Sequence, residues 1–318
     1  MAAARIQKNQ LPAIAPSASW RGGLLSQAAQ QMGLIAGTPV AVGAADTACA
    51  LLAAGGANPN TLLLNLSTGG QLVLPMAEPL VDAAGRLHTF RSALSTESGM
   101  GWYLMGATLA AGHALRWWRE QVLLGASEMS FEALAAQSEE VPPGSDGLLF
   151  LPYLAGERTP LMDPQARGAF LGLRDHHSQR QMTRALLEGV TFATFAAYQV
   201  MRKVARAPDS ITLAGGGSRA PVWRQIVADI FNLPVRPLEI AEQSAWGAAL
   251  LAGEALGWWQ ARDQAQQSLL LGNVATPRRG AVAMYAELFP LFQEAYRASQ
   301  HLFHALNDWV RRTSEYRK

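Results

Sequence analysis

Asp46 places a carboxylate where an apolar segment gives way to a run of small residues. Residues 38–42 are mostly apolar and end at Gly43, and the residues after Asp46 are chiefly alanine and leucine. This pattern predicts a strand, a turn and a helix, and substrates of α/β sheets are commonly met at such turns. A carboxylate there can accept the proton of an attacking hydroxyl. The alternative is that Asp46 is only a helix N-cap, a position that favours aspartate.

A first glycine-rich segment, residues 67–70 (Ser-Thr-Gly-Gly), separates two apolar runs and predicts a tight turn between strands. Backbone N–H groups and two hydroxyls in such a turn can form a concavity that binds a phosphate. An ordinary hairpin turn would have the same composition, so this segment alone does not choose between a structural role and a binding role.

A second glycine-rich segment, residues 215–220 (Gly-Gly-Gly-Ser-Arg-Ala), follows a predicted strand and precedes a predicted helix. The positive end of that helix would point at the turn, where a nucleotide could lie. The segment also fits the dinucleotide fingerprint, with Glu239 placed to bind a ribose, so an NAD-dependent oxidoreductase is an alternative. That alternative leaves Asp46 and Thr68 unexplained. One acid and two glycine-rich turns instead suggest phosphoryl transfer from a nucleotide to a small hydroxylated substrate.

The composition narrows the classes of protein. The chain has 318 residues, 49% of them hydrophobic and 16% charged, which is ordinary for a globular protein. A net charge of +2 gives no reason to expect a nucleic-acid partner. No glycine precedes a lysine, which excludes a P-loop. Cys49 is the single cysteine and is expected to be a buried apolar residue, so no intrachain disulfide can form.

No metal site, membrane segment or secretion signal is predicted, and a cytoplasmic enzyme is the expectation. The adjacent His176 and His177 lack the spacing of metal ligands on a helix and are expected in a solvated loop. No apolar stretch is long enough to cross a membrane, because Asp46 interrupts the best candidate.

Strands alternate with helices along the chain, which predicts an α/β fold with antiparallel hairpins in the first half. The apolar patterns predict a buried strand at 39–42 and further strands at 61–66, 71–74, 87–90, 148–151, 211–214 and 234–238. The periodic patterns predict helices at 23–33, 47–54, 104–121, 178–205, 221–231, 245–255 and 283–312.

Taken in order, several segments resemble the sugar kinases of the FGGY family, most closely its xylulokinases. The resemblance runs from about residue 11 to beyond 257, and a Gly-Glu-Arg-Thr-Pro loop and the triple-glycine turn make it specific to the family. The matching segments are 37–46, 66–70, 106–117, 151–160, 163–168, 187–190, 215–225 and 245–249.

The resemblance implies a ribonuclease H-like (actin-like ATPase) fold and an enzyme that phosphorylates a ketopentose, D-xylulose to D-xylulose 5-phosphate, with ATP and Mg²⁺. It implies a role for each matching residue. Asp46 would be the catalytic base, Thr68 and Gly69 would hold the transferring phosphate, Gly112 would lie near the nucleotide phosphates and ribose, and Gly215, Gly216 and Ala220 would form the adenosine-binding turn.

The resemblance also predicts the domain organisation. Residues 1–59 would be the tail of an N-terminal lobe that carries the catalytic Asp46, residues 60–257 a complete C-terminal nucleotide-binding lobe, and residues 258–318 a helical extension. The expected partners are a small sugar and ATP, with no nucleic acid or membrane and with a possible homodimer. Because phosphoryl transfer needs donors from two lobes, the chain alone is expected to bind nucleotide weakly and to phosphorylate slowly. The remaining alternative is a non-catalytic remnant that acts as a binding module.

Overall fold

A computed structural model describes residues 7–56, 58, 60–94, 101–123, 125–126 and 128–315. The described chain divides into two compact units. Unit 1 takes its residues from 1–57, 91–101 and 242–269, and unit 2 takes its residues from 58–90, 102–241 and 270–318. This division differs from the three consecutive segments predicted above, because residues 242–269 group with the first segment of the chain. Whether the units correspond to family lobes stays a prediction.

Described strands and helices alternate over residues 20–53 and 179–255, whereas the four strands described over residues 61–108 follow one another. The strands are β1 (Trp20–Gly23), β2 (Pro39–Ala41), β3 (Thr61–Leu66), β4 (Gly70–Met76), β5 (His88–Arg91), β6 (Trp102–Thr108), β7 (Leu149–Pro152), β8 (Gly168–Leu171), β9 (Ser210–Ala214) and β10 (Val235–Pro237). The helices are α1 (Ser26–Met32), α2 (Asp46–Ala53), α3 (Gly112–Trp117), α4 (Phe131–Ala136), α5 (Gln179–Met201), α6 (Pro221–Phe231), α7 (Gln243–Ala255), α8 (Ala261–Gln267) and α9 (Arg279–Glu315).

A six-stranded mixed sheet forms the centre of unit 2, with the strand order β10–β9–β3–β4–β6–β5. Strands β10, β9 and β3 are parallel, and β3, β4 and β6 form an antiparallel meander. Leucines in the middle of these strands are fully buried and build the core of the unit, as in Leu62, Leu64, Leu72 and Leu104. The turn that joins β3 to β4 and the turn that follows β9 therefore emerge from neighbouring strands.

Helix α5 is the long buried helix of unit 2. Ser178 caps it through a capping box with Gln181, as its sequence predicts. Inside the helix, Glu188 accepts hydrogen bonds from Arg184 Nε (2.8 Å), Tyr285 OH (2.6 Å) and Ser145 Oγ (2.8 Å). These three donors satisfy a buried carboxylate and tie α5 to α9. The 187–190 segment of the family resemblance thus has a structural explanation.

Helices α2 and α7 form the interior of unit 1. A Cβ atom on Gly247 would overlap the carbonyl oxygen of Cys49 and would lie 2.7 Å from its Cα, so only glycine lets these helices approach so closely. Cys49 itself is buried, as predicted. Gln266 donates to the carbonyl of Gly55 at 2.8 Å, which fixes α8 at the end of α2.

The sequence prediction is wrong at two elements. Residues 104–121 are not one helix: β6 occupies Trp102–Thr108, and the six-residue α3 is followed by a π-helical turn at Trp118–Val122. The alternating burial of β6 and its pairing with β4 decide this, because tertiary pairing overrides local helix preference. Strand β2 is mostly exposed instead of buried. No described helix has both the length and the apolar character needed to cross a membrane.

Candidate active site

Backbone N–H groups at the start of α3 donate hydrogen bonds to carbonyl groups of the turn between β3 and β4. Gly112 N–H donates to the Ser67 carbonyl at 2.6 Å, and the N–H groups of Ala111 and His113 both donate to the Thr68 carbonyl at 3.0 Å. These bonds fix the carbonyl side of the turn. The hydroxyl of Ser67 is also anchored, since it donates to Asn65 Oδ1 at 2.8 Å.

Two glycines in this region are required by the closeness of neighbouring backbone. A Cβ on Gly69 would lie 2.6 Å from the Thr108 carbonyl oxygen, and a Cβ on Gly112 would lie 2.6 Å from the Ser67 carbonyl oxygen. Real Cβ atoms do not approach oxygens so closely. The turn, the end of β6 and the start of α3 are therefore packed backbone against backbone.

The turn after β9 also requires a glycine because neighbouring atoms lie too close for a Cβ. Gly215 has a φ of 82°, and a Cβ there would lie 2.7 Å from the Leu66 carbonyl and still closer to Asn65 Oδ1. Ser218 Oγ donates to the Gly215 carbonyl at 2.7 Å, which closes the turn before α6 begins after Ala220. Gly216 is different, because a Cβ there would meet no atom within 4 Å.

These turns line one cavity of about 250 Å³ in unit 2. The predicted residues Thr68, Gly112, Gly216 and Ala220 all line it, whereas Gly69 and Gly215 are not among the lining residues and support its turns. The full lining is Leu66, Ser67, Thr68, Gly112, Leu115, Arg116, Phe131, Glu132, Gly216, Gly217, Arg219, Ala220 and Trp223. We call this cavity the turn pocket.

The turn pocket combines an apolar wall with charged groups of both signs. Leu115, Phe131 and Trp223 form the apolar wall. The N-terminus of α6 and the side chains of Arg116 and Arg219 favour negative charge in the pocket, and the carboxylate of Glu132 opposes it. Sequence reasoning missed Phe131, which no motif marks and which reaches the pocket through the packing of α4. Arg116 and Arg219 lie in segments that the sequence singled out, 106–117 and 215–220, but the sequence did not indicate that their side chains line the pocket.

Two tryptophans and a histidine outside the turn pocket make structural contacts. Trp118 is buried, and its Nε1 donates to Thr183 Oγ1 at 3.0 Å. Trp259 Nε1 donates to the Leu250 carbonyl at 3.0 Å inside unit 1. His177 lies in a loop, as predicted, and its Nδ1 accepts from the Arg174 N–H at 3.0 Å.

Asp46 is exposed in unit 1 and is the first residue of α2. The N-cap position belongs to Ala45, so the alternative that Asp46 serves as the N-cap is wrong. Its Oδ1 accepts from the N–H of Thr47 at 2.6 Å and from the Thr47 hydroxyl at 3.3 Å. Ser244 Oγ donates to the Asp46 carbonyl at 3.0 Å, an anchor from α7 that the sequence did not indicate. Among the residues that the structure describes, none donates a hydrogen bond to Oδ2.

A resident metal centre is not found in the part of the chain that the structure describes, where no three His, Cys, Asp or Glu side chains group closely enough to hold an ion.

Comparison with known proteins identifies the class of protein to which the chain belongs. The solved structure of a ligand-bound xylulose kinase from Lactobacillus acidophilus superposes with a TM-score of 0.84 at 27% identity, over 95% of this chain and 60% of that one. Such sugar kinases have the actin-like ATPase fold, which confirms the predicted fold class. The model for the C-terminal domain of the FGGY family of carbohydrate kinases matches residues 63–256. The chain belongs to the FGGY family.

Relatives of two substrate types are similar to the chain. Xylulose kinase of Staphylococcus epidermidis is 32% identical over 292 residues, which is 92% of this chain and 58% of that protein. Gluconokinase of Bacillus subtilis is 31% identical over 289 residues, which is 88% of this chain and 55% of that protein. The chain thus spans a little over half the length of these relatives. Neither comparison supports the NAD-dependent alternative.

Proposed function

We propose that this chain binds an adenine nucleotide in the turn pocket and serves the ATP-dependent phosphorylation of a ketopentose, D-xylulose to D-xylulose 5-phosphate. The observation that carries the proposal is the convergence of Thr68, Gly112, Gly216 and Ala220 on one cavity of unit 2. Membership of a carbohydrate-kinase family and similarity to xylulose kinases support it.

In the proposed reaction, the Asp46 carboxylate accepts the proton of a sugar hydroxyl as its oxygen attacks the γ-phosphorus of ATP. The bond from the γ-phosphorus to the β,γ-bridging oxygen breaks, and ADP leaves. Thr68 and Gly69 hold the phosphoryl group as it transfers, and magnesium on the nucleotide offsets its charge. Gly112 lies near the phosphates and ribose, and Gly215, Gly216 and Ala220 hold the adenosine. Family members often carry an asparagine near the position of Ala220, where it can hydrogen-bond adenine. Alanine cannot form that bond, so purine binding here depends on packing.

Nucleotide binding is tested by calorimetry with ADP and with NADH. We expect ADP to bind and NADH not to bind. Gly216→Leu should abolish ADP binding with an unchanged melting temperature, because its side chain enters open space in the pocket. Gly216→Ala, which adds one methyl group, is the matched control and should bind. NADH binding without ADP binding would refute the proposal.

Substrate choice is tested by ³¹P NMR of ATP with D-xylulose or D-gluconate. We expect slow transfer to D-xylulose, well below the roughly 1–100 s⁻¹ of kinases, and none to D-gluconate. Transfer to D-gluconate in place of D-xylulose would retain the kinase class and refute the sugar assignment. ADP binding with no transfer to either sugar would favour the non-catalytic binding module.

A further inference from the structure

The loop after β7 that contains Glu157, Arg158 and Thr159 lies along the end of β6. Thr159 N–H donates to the Ala107 carbonyl at 3.0 Å, and Ala107 N–H donates to Thr159 Oγ1 at 3.3 Å. Immediately after β6, Leu109 N–H donates to Glu157 Oε1 at 2.8 Å. The loop therefore supports the segment that leaves β6 and enters α3.

Glu157 is a buried carboxyl with one satisfied oxygen. Its residue exposure is 2%, and Oε1 also accepts from the Arg158 N–H at 2.7 Å. Within the described residues, Oε2 has no hydrogen-bond partner. Burial raises the pKa of Glu157 to about 7, against the opposing effect of the two N–H donors and the Arg158 charge.

The segment that Glu157 supports, residues 108–111, also contacts the β3–β4 turn. Thr108 carries the carbonyl that would lie 2.6 Å from a Cβ on Gly69. Three residues beyond Thr108, the N–H of Ala111 donates to the Thr68 carbonyl. A continuous stretch of backbone thus joins the Glu157 carboxyl to the turn that lines the pocket.

Three other ionisable groups described near Glu157 are Arg158, Tyr153 and Asp163. Arg158 and the buried Tyr153 are the neighbours whose charges act on it or respond to it. Asp163 exchanges backbone hydrogen bonds with Glu157, and its own carboxylate accepts from Tyr296 OH at 2.6 Å and bonds His304 at 2.8 Å. Glu157 is therefore the buried carboxyl aligned with the end of β6.

We propose that Glu157 is a positioning residue whose protonation state sets the affinity of the β3–β4 turn for nucleotide phosphates. This inference rests on the proposed nucleotide binding. The protonated carboxyl still accepts from Leu109 through Oε1 and carries no charge, whereas the ionised carboxylate places a buried negative charge behind a turn that receives phosphates. By linkage, a bound phosphate favours proton uptake at Glu157.

The test is calorimetric titration of the full chain with ADP, and with adenosine as a probe without phosphates, at pH 6 and pH 8. Wild type is compared with Glu157→Gln, which keeps an acceptor oxygen and does not titrate. Thr159→Val is the matched control, since it removes the hydrogen bonds of Thr159 Oγ1 with the Ala107 N–H of β6 and with the Arg86 carbonyl, without removing a titratable group. Titration of ADP itself is common to all variants.

We expect ADP affinity of wild type and Thr159→Val to rise from pH 8 to pH 6 by on the order of fivefold more than that of Glu157→Gln. Adenosine affinity should show no such difference. Equal pH dependence in wild type and Glu157→Gln, with ADP still bound, would overturn this inference alone. No ADP binding in any variant would overturn the proposed function and this inference together. If Glu157→Gln does not fold, the test uses proton uptake by the wild type on ADP binding, measured in buffers of different ionisation enthalpy. Proton uptake near pH 7 beyond that of ADP itself supports the inference. No such uptake overturns it.

Discussion

The glycine turns of unit 2 and the Asp46 region of unit 1 carry the candidate chemistry, yet the fold specifies them differently. Cβ atoms on Gly69, Gly112 or Gly215 would lie within 2.6, 2.6 and 2.7 Å of backbone oxygens, so close packing alone demands glycine. Asp46 is exposed, and the hydrogen bonds of its carboxylate within the described chain go to the adjacent Thr47. Packing explains the turns, but it does not explain the acid. Beyond its hydrogen bonds to Thr47, no packing contact accounts for Asp46 among the described residues, and its role as the catalytic base stays a proposal.

The largest expected effect comes from Asp46→Asn, which tests the side of the comparison that packing does not explain. Loss of a general base should lower phosphoryl transfer by about 10²–10⁴-fold. The free energy of unfolding should change by less than about 0.5 kcal/mol, because the side chain is exposed. Transfer is measured by ³¹P NMR, and stability by urea denaturation.

Asp263→Asn is the matched control for Asp46→Asn. Asp263 is likewise an exposed aspartate in the first turn of a helix of unit 1, α8. It should leave both transfer and stability unchanged. If Asp46→Asn were strongly destabilising, or if it transferred phosphate at the wild-type rate, Asp46 would be a structural residue and the comparison would fail.

Gly247→Ala should have the next largest effect and sharpens the comparison within unit 1. A methyl group there would overlap the backbone of Cys49, and overpacking of this kind costs about 3 kcal/mol. Thermal or urea unfolding measures the loss. Gly280→Ala is the control, since a Cβ at that helical glycine of α9 meets nothing within 4 Å, and it should be neutral or slightly stabilising. Equal stability of the two variants would show that α2 and α7 can separate easily.

Gly215→Ala and Gly216→Ala form a pair of neighbouring substitutions on the unit 2 side of the comparison. Gly215 combines a positive φ with contacts that exclude a Cβ, so its replacement should cost about 2 kcal/mol of unfolding free energy. Gly216 faces open space, and its replacement should cost less than about 0.5 kcal/mol. Denaturant unfolding of both variants is the measurement. A loss of the same size at both positions would contradict the packing explanation of the second turn.

Sequence patterns predicted the parts of this molecule that depend on local signals. The apolar runs of β3 and β9, the Ser178 cap of α5 and the Pro221 start of α6 lie where the sequence placed them. The segment 104–121 was assigned to a helix because its strand character comes from pairing with β4, which no local pattern shows.

The candidate site follows the same rule. Thr68, Gly112, Gly216 and Ala220 were found from motifs and meet in one pocket, although their roles stay predictions. Phe131 was not found as a pocket residue, because tertiary packing alone brings it there, and Arg219 lies in the second glycine-rich segment but was not assigned a role. Glu157 lies in a loop that the sequence singled out, but its burial and its bond to Leu109 become visible only in three dimensions.

Ser244→Ala should have the smallest effect and tests how firmly the Asp46 region is positioned. Its hydroxyl donates to the Asp46 carbonyl at 3.0 Å, and loss of one such bond costs about 1 kcal/mol. Because this bond holds the backbone of the first residue of α2, we expect the rate of transfer to fall severalfold with ADP affinity unchanged. Ser268→Ala, which removes a hydroxyl bonded to Trp246 in the same unit, should cost similar stability without slowing transfer. If both variants slowed transfer equally, the loss would reflect the general stability of unit 1, and Asp46 would need no anchor of its own.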